Sequence, residues 1–229
     1  MSTSPEITNI VYASLAAFFL GAIPAAYLAS RLHGINIFQV GTRQAGATNV
    51  WKHVNRKTGF IVFLIDVAKG VLTIQLSRYI FEVSGLWFLV PSVAVILGHW
   101  FSPMTKFKGG DGVASLGGLI VGLFQWLALP ASIVAIAFGL PPLRYKFAHP
   151  SLQAGVTGWG VLLLTIAVAG PSDKRVEHLV LYVGISCLAL AVLLKSVRFH
   201  RRNAHFFNEE EDELESGEIE EHRPAESER

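Results

Sequence analysis

Long apolar stretches are the feature that most constrains this chain. Six of them occupy residues 10–32, 58–81, 86–101, 113–140, 153–170 and 177–195. A run of roughly 20 apolar residues is long enough to cross a bilayer as a helix, because a helix satisfies its own backbone groups where no water can. The expected fold is therefore an all-α polytopic membrane protein. Charged residues make up only 16% of the chain, against about 25% in soluble domains, which excludes an ordinary soluble enzyme or nucleic-acid-binding module.

The fourth stretch is ambiguous in length. It reads either as one helix kinked at Pro130 or as two short helices that turn near Gln125 and Trp126. The distribution of Lys and Arg decides between them. With two helices, about seven helices span the membrane and an outside N-terminus leaves 13 basic residues on the inner side against 3 on the outer. With one helix everything after residue 140 flips, and the count becomes 9 against 7. The preference for basic residues on the cytoplasmic side selects seven spans and puts the C-terminal segment inside. The short fourth and fifth helices then require tilt or local thinning of the bilayer. The glycines of the GGLIVG run (residues 117–122) are read as a close helix contact within one chain.

Charge divides the chain in two. Eleven of its 17 acidic residues fall in 209–229, giving that segment a net −9, whereas residues 1–208 carry +11. The expected organisation is an integral membrane domain over 1–208 and an acidic tail over 209–229 with too little apolar surface to fold alone. The start of the chain has no basic n-region and the first apolar run no cleavage-like end, so a cleavable signal is not expected. Cys187 stands alone in an apolar run, and there is no disulfide framework, metal set or cofactor motif.

The inner loops have unusual composition. Residues 41–52 read GTRQAGATNVWK. Gly46 and Ala47 permit close backbone approach, Thr48 and Asn49 add short polar side chains, and Arg43 and Lys52 add positive charge. Such a segment forms either an array of N–H donors for an anion or a plain polar turn. Residues 98–115 read GHWFSPMTKFKGGDGVAS. Here Lys106 and Lys108 lead into Gly109, Gly110 and Gly112 ahead of a helix, an arrangement that points backbone donors at phosphate, although Asp111 places a carboxylate in the same loop. Ser151, after Arg144 and Tyr145, is either a ligand donor or a helix cap. His200 and Asn203 are three apart and share a helix face if the last span continues beyond the membrane. Asp66 and Lys69, inside the second span, are placed to pair.

These loops, in this order, resemble the bacterial acyl-phosphate:glycerol-3-phosphate acyltransferase family of integral membrane enzymes. The likeness covers about residues 21–203 and rests on LGAIPAAYL, GATNV, the DxxKG of Asp66, Lys69 and Gly70, the GH…FKGG…GVA stretch and the closing HxxN of His200 and Asn203. Thr42, Arg43, Gln44 and Lys52 stand where the family motif has Ser, Gly, Asn and Arg, and Asp111 stands for the last lysine of KGGKG. The resemblance implies seven spans, a cytoplasmic-face active site in a bacterial inner membrane and no cofactor. It also implies acyl phosphate and glycerol 3-phosphate as substrates among membrane lipids, with lysophosphatidic acid and phosphate as products. In that frame Gly46, Thr48 and Asn49 hold one phosphate. Lys108, Gly109, Gly110 and Gly112 hold the other phosphate or the developing oxyanion, with Thr42, Lys52 and Ser151 in support. His200 and Asn203 orient or deprotonate the acceptor hydroxyl. No HxxxxD pair occurs, so the dyad chemistry of acyl-CoA-dependent enzymes is not expected. A non-catalytic lipid-binding or scaffold relative and a small anion transporter remain the alternative readings of these residues.

Overall fold

The structure, a computed structural model, describes residues 5–139 and 150–221, with side chains described over 5–137 and 156–199. The described residues are helical throughout, with loops and single 3₁₀ turns between helices and no strand. In chain order the helices are α1 (Ile7–Ala22), α2 (Ala25–Leu32), α3 (Ala47–His53), α4 (Arg56–Tyr79), α5 (Leu89–Trp100), α6 (Val113–Phe124), α7 (Leu129–Gly139), α8 (Pro150–Ala169) and α9 (Arg175–Glu221). Apart from the short α3, these form seven apolar segments, α1 and α2 together making the first.

Length and composition alone mark five stretches as able to cross a membrane: Ile7–Leu32, Arg56–Tyr79, Gly85–Thr105, Val113–Ala137 and Arg175–Phe199. Val156–Ala169 is a shorter apolar helix. The fourth stretch is not one helix. At Gln125 the backbone turns to φ 50°, ψ −123°, followed by a 3₁₀ turn over Gln125–Ala128 before α7 begins. Helix α6 packs on α4, whereas α7 packs on α8. The two-helix reading of this stretch therefore describes the backbone.

Two glycine-lined contacts set the helix spacing. In the first, α1 lies against α5: a methyl group at Gly21 would run into the Val95 carbonyl, and one at Gly98 into the Phe18 carbonyl. In the second, α4 lies against α6, where Gly70 meets the Ser115 carbonyl and Gly118 meets the Val67 carbonyl. Lipid offers helices no hydrophobic reason to associate, so close backbone approach and dispersion supply the contact. The GGLIVG run thus serves packing within the chain, through Gly118 and Gly122, the latter against Ile74, while Gly117 faces open space. Residues such as Ile74, Val95, Ile96, Leu119 and Phe124 fill the core between these helices.

Helix α9 continues to Glu221, well past the apolar stretch that ends near residue 195. Glu and Leu are good helix formers, and a helix already nucleated adds residues without a second nucleation cost.

The glycine contacts predict opposite signs at neighbouring positions. Gly118→Ala will lower thermal stability in detergent, by about 1–3 kcal/mol for an overpacked contact. Gly117→Ala will leave it unchanged or raise it by up to about 1 kcal/mol through helix propensity. Thermal unfolding of the two purified variants checks both.

Candidate active site

The site begins where the first span breaks. Pro24 separates α1 from α2, and the last carbonyls of α1 have no partner further along their own helix. Two side chains from other elements reach carbonyls at this break, where the Ala25 N–H also donates to the Ile23 carbonyl at 3.0 Å. The Ser102 hydroxyl, just after α5, donates to the Ala22 carbonyl. The Lys69 ammonium, from the middle of α4, donates to the Ile23 carbonyl at 2.6 Å and to Asp66 Oδ1 at 2.7 Å. Asp66 and Lys69 are each 3% exposed. His99, near the end of α5, brings Nδ1 to 3.8 Å from the same Asp66 oxygen. A helical spacing of three aligns Asp66 with Lys69, and the break in the first span supplies the third partner.

A narrow cleft opens over this group. Its walls come from the break in the first span (residues 21–26), from Ala45, from Asp66 and Lys69, from His99 and Ser102, and from Gly109 and Gly110. Both candidate loops therefore border one space. They also touch: a methyl group at Gly110 would lie 2.5 Å from the Ala45 carbonyl oxygen and 2.6 Å from His99 Nε2. Only a residue without a side chain lets the second loop reach the first at this point.

The first loop is built around Asn49. That side chain is 1% exposed. Its amide nitrogen donates to the carbonyls of Gln44 (3.0 Å), Val40 (3.1 Å) and Ile37 (3.3 Å), and its Oδ1 accepts from the Thr42 N–H at 3.2 Å. Asn49 thus holds the turn from Ile37 to Gln44 in shape, and its polar atoms are directed at the loop's own backbone. The second loop is built by the backbone itself. Lys106 and Phe107 lie in the left-handed region at φ 54° and 63°, and Gly112 at φ 88° turns the chain into α6. The Thr105 hydroxyl donates to the Lys108 carbonyl, and Trp100 Nε1 donates to the Asp111 carbonyl at 2.7 Å.

The residues named from sequence occupy distinct places. Gly109 and Gly110 line the cleft, and Gly112 is buried beside Trp100. Lys108 is exposed, with Nζ 6.0 Å from the centre of the Phe38 ring, so it can reach a ligand at the rim. Thr48 and Lys52 are exposed, while Thr42 and Gly46 are half-buried. The backbones of Ser151, His200 and Asn203 lie in α8 and α9, and their side chains lie outside the described residues. Sequence reasoning did not name His99, Ser102 or Lys195 as site residues. The available signal was their position: His99 and Ser102 immediately precede the glycine loop, and Lys195 is a lone ammonium within the last apolar stretch. Among the described residues no group of three or more His, Cys, Asp or Glu is placed to hold a metal ion. The arrangement offers cations at its floor and rim, and backbone loops held open by glycine. That chemistry suits an anionic ligand at the membrane boundary.

The buried ion pair carries a stability prediction. Lys69→Met leaves the Asp66 carboxylate without its cation and will cost about 3–5 kcal/mol, because one partner of a buried pair is removed. The double variant Asp66→Asn with Lys69→Met will recover most of that loss. Chemical or thermal unfolding in detergent measures the difference.

Known proteins share both the sequence pattern and the helical arrangement. The family model described as glycerol-3-phosphate acyltransferase matches residues 11–206. Among curated relatives, the glycerol-3-phosphate acyltransferase of Hydrogenobaculum sp. is 40% identical over 142 residues, covering 62% of this chain and 69% of its own. Glycerol-3-phosphate acyltransferase 1 of Deinococcus radiodurans is 38% identical over 152 residues, covering 66% and 76%. The enzyme of Anaeromyxobacter dehalogenans is 31% identical over 205 residues, covering 87% and 94%. The crystal structure of PlsY (YgiH), an integral membrane glycerol 3-phosphate acyltransferase, shares the fold. Its glycerol 3-phosphate form superposes with TM-score 0.61 at 24% identity, and its lysophosphatidic acid form with 0.60 at 25%, each covering 86% of this chain and 90% of the other. The chain belongs to the glycerol-3-phosphate acyltransferase family of integral membrane proteins.

Proposed function

We propose that this enzyme transfers a fatty acyl group from acyl phosphate to the 1-hydroxyl of glycerol 3-phosphate, releasing lysophosphatidic acid and inorganic phosphate. The observation that carries this reading is the meeting of the two loops at Ala45 and Gly110 over the floor of Asp66, Lys69 and His99. Two reactants that each bear a phosphate need such a convergence of cations and backbone donors.

Acyl phosphate is a mixed anhydride, so the chemistry needs little activation. The acceptor oxygen forms a bond to the acyl carbon, the bond from that carbon to the bridging phosphate oxygen breaks, and phosphate departs with the electron pair. The hydroxyl proton passes to the leaving phosphate or to His200. Holding the reactants in line supplies up to ~7–11 kcal/mol, and one well-placed oxyanion donor supplies roughly 3–4 kcal/mol. Lys108 with the backbone of Gly109, Gly110 and Gly112 stabilises a phosphate or the oxyanion. Gly46 and Thr48, with the loop that Asn49 holds, face the second phosphate, and Thr42, Lys52 and Ser151 support it. His200 and Asn203 orient the acceptor. The acyl chain lies between helices in the bilayer hydrocarbon.

The composition of the loops supports a site on the cytoplasmic side of a bacterial inner membrane, with the N-terminus outside. The asymmetry of 13 basic residues against 3 supports that orientation. Residues 1–208 form the catalytic unit, and the acidic residues 209–229 lie outside it.

Purified protein in detergent, assayed with acyl phosphate and glycerol 3-phosphate, tests the assignment. Lys108→Ala will reduce transfer by about 10²–10³, the usual cost of a lost charge-stabilising donor, and Asn49→Ala will reduce it through collapse of the first loop. If both variants stay within twofold of wild type, the site lies elsewhere. A chain ending at residue 208 is expected to keep acyl transfer within about twofold, because the segment it lacks has too little apolar surface to pack onto the catalytic unit.

A further inference from the structure

Asp111 is an electrostatic liability in this site. It places a carboxylate in the glycine loop that faces two anionic reactants, and one of its oxygens, Oδ1, is buried without a hydrogen-bond partner. A cation reaches this loop from the far end of the chain. Lys195, on α9, sends its ammonium to the Gly110 carbonyl at 2.6 Å and sits 5.1 Å from the centre of the Trp100 ring. Trp100 in turn donates to the Asp111 carbonyl. Lys195 therefore sits on the carbonyl of the residue immediately before Asp111, and Trp100 contacts both residues.

Lys195 stands at the end of the last apolar stretch, and a half-buried ammonium there has to be retained by its surroundings. Here a carbonyl and an aromatic face retain it. Neither of these partners belongs to α9. Lys195 is thereby committed to the glycine loop, five residues before His200 on the same helix.

We infer that Lys195 is a positioning residue for substrate phosphate: it offsets the Asp111 charge from the last helix, so that the Gly109, Gly110 and Gly112 loop stays receptive to an anion. This rests on the acyltransferase reading of the cleft. The same contact ties the helix bearing His200 and Asn203 to the loop bearing Lys108.

A binding cycle on the full-length protein in detergent tests the inference, with glycerol 3-phosphate as titrant in calorimetry. Lys195→Met is expected to weaken binding about tenfold in the wild-type background, a coupling usual for interacting neighbours. In the Asp111→Asn background the same change is expected to cost less than about twofold, because the charge it offsets is gone. Lys195→Arg will retain binding. Equal losses in both backgrounds would assign Lys195 a purely structural role and overturn the inference. Asp111→Asn alone, which leaves Lys195 in place, is expected to tighten binding, and unchanged or weaker binding counts against the inference even if Lys195→Met does not fold. Wild-type protein that neither binds glycerol 3-phosphate nor transfers acyl groups would instead overturn the functional reading itself.

Discussion

The Lys69 ammonium is the interaction on which the rest of the structure depends. It joins the carboxylate of Asp66 on its own helix to the Ile23 carbonyl at the break in the first span. Burying either ion alone is prohibitive in a membrane interior, and the Ile23 carbonyl, which already accepts from the Ala25 N–H at 3.0 Å, has a second lone pair for the ammonium. Together the three groups satisfy one another. The break at Pro24 can then persist, and the space beneath it becomes the floor of the cleft. Polar groups that would be a defect in a plain helical bundle are here the foundation of its site.

Packing brings the remaining parts to that floor. Helix α5 is held against α1 through Gly21 and Gly98, and α6 against α4 through Gly70 and Gly118. These contacts set where His99 and Ser102 emerge at the end of α5 and where the glycine loop enters α6. Because backbones meet directly there, small errors in spacing are not absorbed by flexible side chains. The positions of two loops, far apart in the chain, are in this way fixed by contacts within the bilayer.

Asn49 and the glycine loop show two ways of building a polar surface at a membrane boundary. In the first loop a single buried amide gathers three carbonyls and one N–H, so the backbone keeps a bent path without regular structure. In the second, left-handed residues and glycines make the path, and neighbours from α5 and α9 hold it through Trp100 and Lys195. The first arrangement is local. The second depends on helices that meet only once the chain has folded, which is why Asp111 reads as a plain liability until its spatial neighbours are known.

The sequence by itself determined the fold class, the approximate positions of the helices and the two-part nature of the fourth apolar stretch. Hydrocarbon tolerates only self-satisfied backbone, and positive charge is sorted by side, so run length and Lys and Arg placement were sufficient. It also marked the loops with unusual chemistry, because glycine beside lysine has a meaning independent of context. Tertiary structure alone decided that Ala45 and Gly110 touch, that Asn49 spends its polar atoms on its own loop, that Asp66 and Lys69 share their charge with a helix break, and that Lys195 reaches the Gly110 carbonyl beside Asp111. Each of these joins residues distant in the chain or depends on a backbone path that no local spacing specifies. Periodicity assigns a residue to a face of its own helix, whereas its partner is set by how the helices pack against one another.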